Sequence, residues 1–328
     1  MEDRVMKRCR IGGRRLLVGI VCAALMLLAA GVAHAKAIAV GNGLSTSSDA
    51  KVAGTEAARK AKEALGDNKA KAVLVFNSGA LAKGYEQVLE GVASVFDAAV
   101  IHGCGAYAAL TQDGNEGSAA VLAIGGDVEV TTAVAETAGK DDDEACGKRI
   151  GEALKDAAAK GPGKVLILFG DCHVPRDDQL VKGVCSVLGE TFPVVGAAAF
   201  GGDIYVSGKK VKKSNLGLLL TGNFTCGFGM KKDMTPEGLI TSARDAFKDA
   251  IGDKKDKVAC VLVFDCGGRR GAMQKNNNFP QELEAMKEVA GSAPIFGFYG
   301  SGEIGHPTSG APSQGVGYHI SACAIAIE

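Results

Sequence analysis

The segment KVACVLVFDCGGRRG, residues Lys257 to Gly271, decides the fold of this chain. Its β-branched and apolar run from Val258 to Phe264 is typical of a strand buried on both faces, and it stops abruptly at Asp-Cys-Gly-Gly-Arg-Arg-Gly. A second segment, PIFGFYGSGEIG from Pro294 to Gly305, is a short strand that breaks into glycines around one carboxylate, Glu303. Loops at the ends of buried strands carry ligands or chemistry more often than plain turns do. The sequence therefore predicts a functional site in these two loops, one cationic and one acidic.

The strand that ends at Phe264 has two counterparts earlier in the chain, Ala72 to Phe76 and Val165 to Phe169. Their closing phenylalanines are 93 and 95 residues apart. From each closing phenylalanine to the glycine in the next strand there are 27 positions in the first two copies and 33 in the third. An insertion around Gln274 to Phe279 fits the difference. This regular spacing predicts three copies of one structural unit.

Each copy has the same order of apolar patterns, which predicts helix, strand, helix, strand and hairpin. In the third copy, Thr235 and Pro236 are suited to cap and start a helix whose apolar stripe includes Leu239 and Phe247. Alternating helices and buried strands followed by hairpins predict an α/β fold with mixed sheets, built from three pseudo-repeats. The third copy lacks its last strand. We expect the N-terminal strand, Ala37 to Gly41, to complete that last repeat, which ties the termini together and favours a closed arrangement.

Residues Met1 to Ala35 have the three parts of an export signal. Six basic residues accompany an apolar run from Leu16 to Val32, and Ala33-His34-Ala35 is an A-x-A cleavage pattern. We therefore expect a signal peptide that is cleaved after Ala35 and a mature protein that is periplasmic or secreted. An uncleaved anchor stays open, because the apolar run is close to the shortest membrane span of about 17 residues. Twin-arginine export also stays open, because Arg14-Arg15 directly precede the run.

The charge of the mature chain disfavours some classes of binding partner. Cleavage removes six basic and two acidic residues from a chain with 37 of each, and leaves 31 basic against 35 acidic residues. A mildly acidic protein is poorly suited to nucleic acid or anionic lipid as its main partner. No other apolar stretch is long enough to span a bilayer. Eight cysteines remain without any Cys-x-x-Cys pair, so the strongest zinc and redox spacings are absent, while disulfide bonds stay undecided.

The motif C-G-G-R-R-G, followed by a glutamate-rich helix and by P-I-F-G-F-Y-G-S-G-E-I-G, resembles the C-terminal signature of FIST domains. Phe76-Asn77-Ser78 with Val100 to Cys104 is similar to the N-terminal part of the same family. The resemblance spans roughly residues 70 to 327. It gives a FIST N-terminal-like region of two repeats at residues 36–230 and a FIST C-terminal-like region at 231–328. It implies a bacterial sensory module for a small ligand. Because the sequence shows no kinase, cyclase or methyl-accepting output segment, we expect the signal to pass to a separate partner.

Ligand-binding residues are expected in the two loops of the third unit. An arginine is suited to hold a carboxylate through two hydrogen bonds, and Glu303 is suited to receive an amino group. Glycines let the backbone approach a ligand and expose its N–H groups. Together with the resemblance, this predicts a cleft for an amino acid or a small carboxylate. The candidate ligand-binding residues are Asp265, Cys266, Arg269, Arg270, Tyr299 and Glu303.

Each candidate also has a structural interpretation. The arginine and Glu303 would form an ion pair that only holds two loops together, Asp265 would cap the following loop, and Tyr299 would belong to the core. Cys266 is a candidate nucleophile, but the sequence shows no adjacent histidine or other base to activate it. We therefore expect no enzyme activity and keep a Cys-dependent enzyme as the weaker alternative. A purely structural or partner-docking role is another alternative function.

A haem-binding gas sensor is a further alternative, because haem-based gas sensing has been attributed to some FIST-like proteins. Its candidate ligands are Cys172-His173, and His102 with Cys104. Adjacent cysteine and histidine are a poor metal spacing by themselves, and a lone histidine is more often structural. The sequence thus predicts no metal site and leaves the cofactor open.

Overall fold

A computed structural model describes residues 37–139, 141–171 and 176–328 of the chain. The predicted signal peptide, residues 1–35, lies outside these described residues, and so do Cys172 and His173. From Ala37 to Glu328 the chain is one structural unit by its internal contacts.

Most of the described helices form where apolar residues recur on one face. The helices are α1 (Ala50–Leu65), α2 (Tyr85–Ala93), α3 (Asp143–Ala158), α4 (Arg176–Leu188), α5 (Pro236–Ile251), α6 (Gly267–Asn276) and α7 (Phe279–Ala290). The Thr235 hydroxyl caps α5 by accepting the Gly238 N–H at 3.0 Å, and Pro236 takes the first helical position, as predicted. None of the described helices is long and apolar enough to cross a membrane.

The strands form three six-stranded sheets within the described residues. They are β1 (Ile38–Ser45), β2 (Ala70–Ser78), β3 (Ile101–Ala106), β4 (Ala108–Thr111), β5 (Gly114–Gly117), β6 (Ala119–Gly126), β7 (Val128–Glu136), β8 (Gly163–Gly170), β9 (Val194–Ala198), β10 (Ile204–Val206), β11 (Lys209–Val211), β12 (Ser214–Gly222), β13 (Phe224–Lys231), β14 (Val258–Cys266), β15 (Ile295–Gly300), β16 (Glu303–Gly305), β17 (Gln314–Val316) and β18 (Ile320–Ile327). The strand orders are β1-β6-β2-β3-β10-β11, β17-β16-β9-β8-β12-β7 and β13-β18-β14-β15-β4-β5.

The three sheets are built from equivalent parts, which confirms the predicted α/β fold with mixed sheets and three repeats. In each sheet a central strand, β2, β8 or β14, pairs in parallel with the next long strand, β3, β9 or β15. The same central strand pairs antiparallel with the strand that closes the unit, β6, β12 or β18. The closing strand then pairs antiparallel with an outer strand, β1, β7 or β13.

The N-terminal strand completes the first unit, so the prediction that it completes the last repeat is wrong. β1 pairs along its whole length with β6, and β13 takes the corresponding place in the third sheet. The reason is the packing of each outer strand against the helix that follows it. A Cβ on Gly41 would lie 2.3 Å from the Ala61 carbonyl oxygen, and one on Gly227 would lie 2.0 Å from that of Ala250. These glycines therefore let α1 lie directly on β1 and α5 on β13.

The hairpins join the three units into a closed ring. The hairpin β4–β5 of the first unit pairs with β15 of the third, and β10–β11 of the second pairs with β3 of the first. The hairpin β16–β17 of the third unit pairs with β9 of the second. Each unit thus supplies the last strands of another unit's sheet. Closure follows from this exchange, and not from a tie between the termini.

The core lies between the three sheets and is built around aromatic rings. The closing phenylalanines recognised in the sequence, Phe76, Phe169 and Phe264, are all buried there. Phe76 and Phe169 have ring centroids 5.6 Å apart, and Phe169 and Phe264 have centroids 6.5 Å apart. Phe298 of β15 lies among them, with centroids 4.3 Å from Phe76, 6.1 Å from Phe169 and 5.7 Å from Phe264. One side chain therefore contacts all three repeats.

We expect Phe298→Ala to lower the free energy of unfolding by about 3–5 kcal/mol, because it leaves a cavity between three sheets. The matched control is Val52→Ala on α1, where the side chain is 43% exposed, and it should change stability by less than about 0.5 kcal/mol. Urea denaturation of both variants measures the difference. A loss below about 1 kcal/mol for Phe298→Ala would show that this ring does not hold the units together.

Candidate functional site

The candidate site lies at the ends of two neighbouring strands of the third unit. β14 ends at Asp265 and Cys266, which lie opposite Tyr299 and Gly300 of β15. Because parallel strands end at the same edge of a sheet, the two segments singled out in the sequence meet here. After Cys266 the chain enters α6 at once, where the sequence predicts a loop. The Cys266 thiol permits this because it caps the first turn by accepting the Gly268 N–H at 3.3 Å.

A cavity of about 470 Å³ opens at the start of α6. It is lined by Tyr107, Cys266, Gly267, Gly268, Gly300, Ser301, Gly317 and Tyr318. Tyr107 and Tyr318 are 38% and 53% exposed, so both rings are partly open to solvent. Tyr107 belongs to the first unit and the other lining residues belong to the third.

Two glycines let the tyrosine rings lie against the backbone of α6. A Cβ on Gly267 would lie 2.5 Å from the Tyr107 ring, and one on Gly268 would lie 2.6 Å from the Tyr318 ring. The Tyr107 ring is supported from behind by Phe200, with centroids 4.8 Å apart. Any larger residue at the start of α6 would therefore displace the walls of the cavity.

Cys266 lines the cavity and is 8% exposed. Its Sγ accepts the backbone N–H groups of Gly268 and Tyr318, each at 3.3 Å. Burial and the neighbouring Glu303 carboxyl group raise the pKa of the thiol to about 12, although the N–H groups oppose this rise. The thiol is therefore protonated at neutral pH in the absence of a ligand.

Glu303 is fully buried on β16 beside Cys266. Its Oε2 accepts the His319 N–H at 3.0 Å, whereas its Oε1 has no hydrogen-bond partner among the described residues. Burial raises the pKa of Glu303 well above its usual value, and hydrogen bonds from the His319 N–H and the Cys266 thiol offset only part of this rise. The carboxyl group that the sequence placed in a loop is thus on a strand and separated from solvent.

Arg269 is fully buried and points into a network of charged groups. It donates to Asp265 Oδ1 at 2.7 Å, to Glu282 Oε1 at 2.9 Å and to Ser242 Oγ at 2.9 Å. Two further N–H groups bond backbone carbonyl oxygens at 2.9 and 3.1 Å, so all five donors of the guanidinium are used. A structural ion pair therefore exists, but its partners are Asp265 and Glu282 in place of Glu303. Ligand binding by Arg269 and Asp265 stays a prediction.

Tyr299 and Glu282 extend this network away from the cavity. The Tyr299 hydroxyl donates to Glu282 Oε2 at 2.7 Å and accepts from Asn115 Nδ2 at 3.2 Å. Burial, with the nearby Asp265 carboxyl group, raises the pKa of Glu282 well above its usual value, and Arg269 lowers it only in part. Tyr299 is therefore a buried part of this network and does not line the cavity.

Glu282 is a functional candidate that sequence reasoning missed, although a signal existed. It falls on the buried face of α7 together with Phe279, Leu283 and Met286. A carboxylate in an apolar helical stripe needs a buried partner. Arg269, one helix earlier, is that partner. The tyrosines Tyr107 and Tyr318 had no comparable signal, because their positions depend on contacts between distant segments.

Arg270 lies outside both the cavity and the buried network. Its Nη2 is 3.4 Å from Glu116 Oε1, and its guanidinium carbon is 5.4 Å from the centroid of the Phe279 ring. Of the six predicted residues, the structure thus brings Cys266 into the cavity wall and Glu303 beside Cys266. Ligand binding by Arg270 stays a prediction.

The histidine and cysteine candidates for haem are buried where they are described. Burial lowers the pKa of His102 to about 4, and Cys104 belongs to the central core. Cys172 and His173 lie outside the described residues. Within the described ranges, no group of three or more histidine, cysteine, aspartate or glutamate side chains is arranged to hold a metal ion, and the cysteines are free thiols. Haem binding stays a prediction.

Comparison with protein families identifies both halves of the chain. The family model of the FIST N domain matches residues 71–246, and that of the FIST C domain matches residues 229–306. The chain belongs to the FIST family. FIST domains are sensory signal-transduction domains. The resemblance found in the sequence is thereby confirmed. Of the residues that line the cavity, Cys266 to Gly268, Gly300 and Ser301 fall in the FIST C match, Tyr107 falls in the FIST N match, and Gly317 and Tyr318 follow both.

Comparison with solved structures gives similar folds at low sequence identity. A crystal structure of a cyanuric acid hydrolase from A. caulinodans has a TM-score of 0.50 and 11% identity, and the match covers 89% of this FIST chain and 99% of that chain. A second cyanuric acid hydrolase structure has a TM-score of 0.48 and 11% identity, over 89% of this chain and 100% of that one. At such identity the likeness concerns the fold alone. Comparison with curated protein sequences gave no match.

We expect Arg269→Ala to destabilise the FIST fold by about 3–5 kcal/mol, because it leaves the Asp265 and Glu282 carboxyl groups buried without their cation. The matched control is Arg270→Ala, which removes a partly exposed guanidinium with an ion pair at 3.4 Å and a contact with the Phe279 ring, and should cost less than about 1 kcal/mol. Urea denaturation of the two variants gives the comparison. Equal losses would contradict the role assigned to Arg269.

The stability lost by Arg269→Ala should also depend on pH. A carboxyl group with a raised pKa binds more protons in the folded than in the unfolded state, so its contribution to the free energy of unfolding falls as the pH rises. Removing Arg269 takes away the cation that lowers the pKa of Glu282 from its buried value. The deficit should therefore be constant while Glu282 is protonated in both folded proteins, and grow as the pH rises through the raised pKa of Glu282 in the wild type, well above 4.5. A deficit that is constant with pH would refute the buried pair.

Proposed function

We propose that this protein is an exported sensory domain that binds a small polar ligand, an amino acid or a small carboxylate, and signals through a separate partner. The observation that carries the proposal is the cavity of about 470 Å³ at the start of α6, between the rings of Tyr107 and Tyr318. Its size is in the range of small-molecule sites. Membership in the FIST family supports a sensory role.

The surroundings of the cavity favour a ligand with a negative charge. α6 begins at the cavity, and the start of a helix carries a partial positive charge. The Lys232 ammonium group lies 6.0 Å from the centroid of the Tyr318 ring and adds a cation nearby. The tyrosine rings and the glycine backbone supply flat faces for the carbon atoms of a ligand. A small carboxylate fits both features.

The position of the cavity between two units supports a way to pass on the signal. Tyr107 precedes β4, the strand by which the first unit pairs with β15 of the third. The Tyr107 N–H donates to the Tyr299 carbonyl oxygen at 2.8 Å at this junction. A ligand in the cavity contacts both units, so its binding favours the arrangement in which they are held together. A separate partner protein that contacts the junction would respond to this change in the arrangement of the two units.

We expect a small carboxylate or amino acid to raise the melting temperature of the mature protein. A ligand at about 100 times its dissociation constant should add about 2.7 kcal/mol to the stability. Gly268→Ala should abolish the rise, because its Cβ would lie 2.6 Å from the Tyr318 ring. The matched control is Gly271→Ala in the same helix, where a Cβ would meet no atom within 4 Å. A thermal-shift screen measures all three proteins.

The control decides how a negative result is read. If no amino acid or carboxylate stabilises either the wild type or Gly271→Ala, the proposed ligand class is wrong. If a ligand stabilises Gly268→Ala as strongly as Gly271→Ala, it binds elsewhere. Only a response that Gly268→Ala loses and Gly271→Ala keeps supports the cavity as the site.

The proposed export of the protein predicts where its N-terminal signal peptide is cleaved. We expect the exported protein to begin at Lys36, which intact-mass measurement of the periplasmic fraction would show. Ala35→Leu should block cleavage, because the cleavage site requires a small residue, whereas Ala30→Leu within the apolar run should not. A full-length chain retained in the membrane fraction would favour the uncleaved anchor.

A further inference from the structure

The Cys266 thiol occupies a position that is usually taken by an oxygen. Serine, threonine, aspartate and asparagine are the preferred caps of a helix start, and their oxygens accept N–H groups better than sulfur does. Here a thiol caps α6 and also faces a cavity. The helix start and the two N–H groups at 3.3 Å stabilise the negative charge that develops on Sγ when the thiol loses its proton. Cys266 therefore has features that a mere cap does not need.

Glu303 supplies the base that the sequence did not reveal. Its carboxyl group is fully buried beside the thiol, and its Oε1 has no hydrogen-bond partner in the described part of the chain. An unpartnered buried oxygen costs stability, so its retention calls for a role. Burial also raises the pKa of Glu303, which makes its carboxylate a stronger proton acceptor than an exposed glutamate.

We propose that Cys266 and Glu303 form a site for reversible covalent binding of a small carboxylate that carries an aldehyde or ketone group. This inference rests on the proposed function, because it uses the same cavity, and it specifies the class of ligand. The ligand's carboxylate is favoured by the start of α6 and by Lys232. The ligand's carbonyl carbon then meets the thiol in the cavity wall.

The step needs no oxidant, reductant or co-reactant. Sγ forms a bond to the carbonyl carbon while the π electrons of the C=O bond move to its oxygen, which takes the proton of the Glu303 carboxyl group. The thiol proton then passes to the Glu303 carboxylate that remains, which restores the carboxyl group and gives a neutral hemithioacetal or hemithioketal. Reversal of the same steps releases the ligand unchanged. Reversibility suits a sensor, because the signal ends when the ligand is removed.

Glyoxylate labelled with carbon-13 is a direct probe of this chemistry. Addition of the thiol converts its aldehyde carbon from trigonal to tetrahedral, and protein-bound hemithioacetal gives a carbon resonance distinct from those of free aldehyde and hydrate. We expect this resonance with the wild-type mature protein.

Three substitutions assign the roles. Cys266→Ser keeps a cap on α6 and should abolish the resonance, whereas Cys185→Ser, at a thiol in a different cleft, should keep it. Glu303→Gln should slow formation of the adduct by roughly 10²-fold or more, because the proton acceptor is lost. Glycolate has the same carboxylate but no carbonyl group. Its affinity, measured by calorimetry, should be unchanged in Cys185→Ser.

Glycolate separates failure of this inference from failure of the proposed function. If glycolate binds but glyoxylate gives no adduct with the wild type, covalent binding is wrong and the carboxylate site stands. If neither compound binds, the proposed carboxylate site and the proposed covalent binding are both wrong for this cavity. An adduct that survives Cys266→Ser would overturn the assignment to Cys266, and an unchanged rate in Glu303→Gln would overturn the role of Glu303.

Discussion

The contact of Phe298 with the closing phenylalanines of all three units is the interaction on which the rest of the structure depends. Each unit's sheet has an apolar inner face that includes Phe76, Phe169 or Phe264. A single unit would expose that face to water, so the units are stable only when their inner faces pack together. The exchange of hairpins follows from this packing, because strands at the edge of one sheet lie within reach of the next.

The candidate site exists because of the same exchange. Tyr107 immediately precedes the hairpin that the first unit supplies to the third, and this brings its ring against Gly267. A unit without its neighbour would have the helix start and the thiol, but only part of the cavity wall. The site therefore belongs to a junction between repeats, which makes the junction sensitive to a ligand.

The buried network around Arg269 has a different task from the one its sequence suggests. It fixes α6 against α5 and α7 through Asp265, Glu282 and Ser242. Because Arg269 lies in the first turn of α6, this holds the thiol of Cys266 and the glycine backbone in place. The charged residue thus orients the site from behind, while its guanidinium has no donor left for a ligand.

Much of the fold was predicted from the sequence, because it depends on patterns within a few residues. The spacing of Phe76, Phe169 and Phe264 revealed three repeats, and Thr235 with Pro236 marked the start of α5. The position of Cys266 at the end of a buried strand was equally visible. Each of these features follows from local alternation, capping or repeat length, which do not need the remainder of the chain.

Only the tertiary structure decided which distant segments meet. It paired β1 with β6, placed Tyr107 beside Gly267, and gave Arg269 the partner Glu282 while leaving Glu303 beside Cys266. Strand pairing between units and the choice of a partner for a buried charge depend on the packing of residues far apart in the chain. The sequence by itself determined the unit and its repetition, whereas the arrangement of the units in three dimensions determined the site.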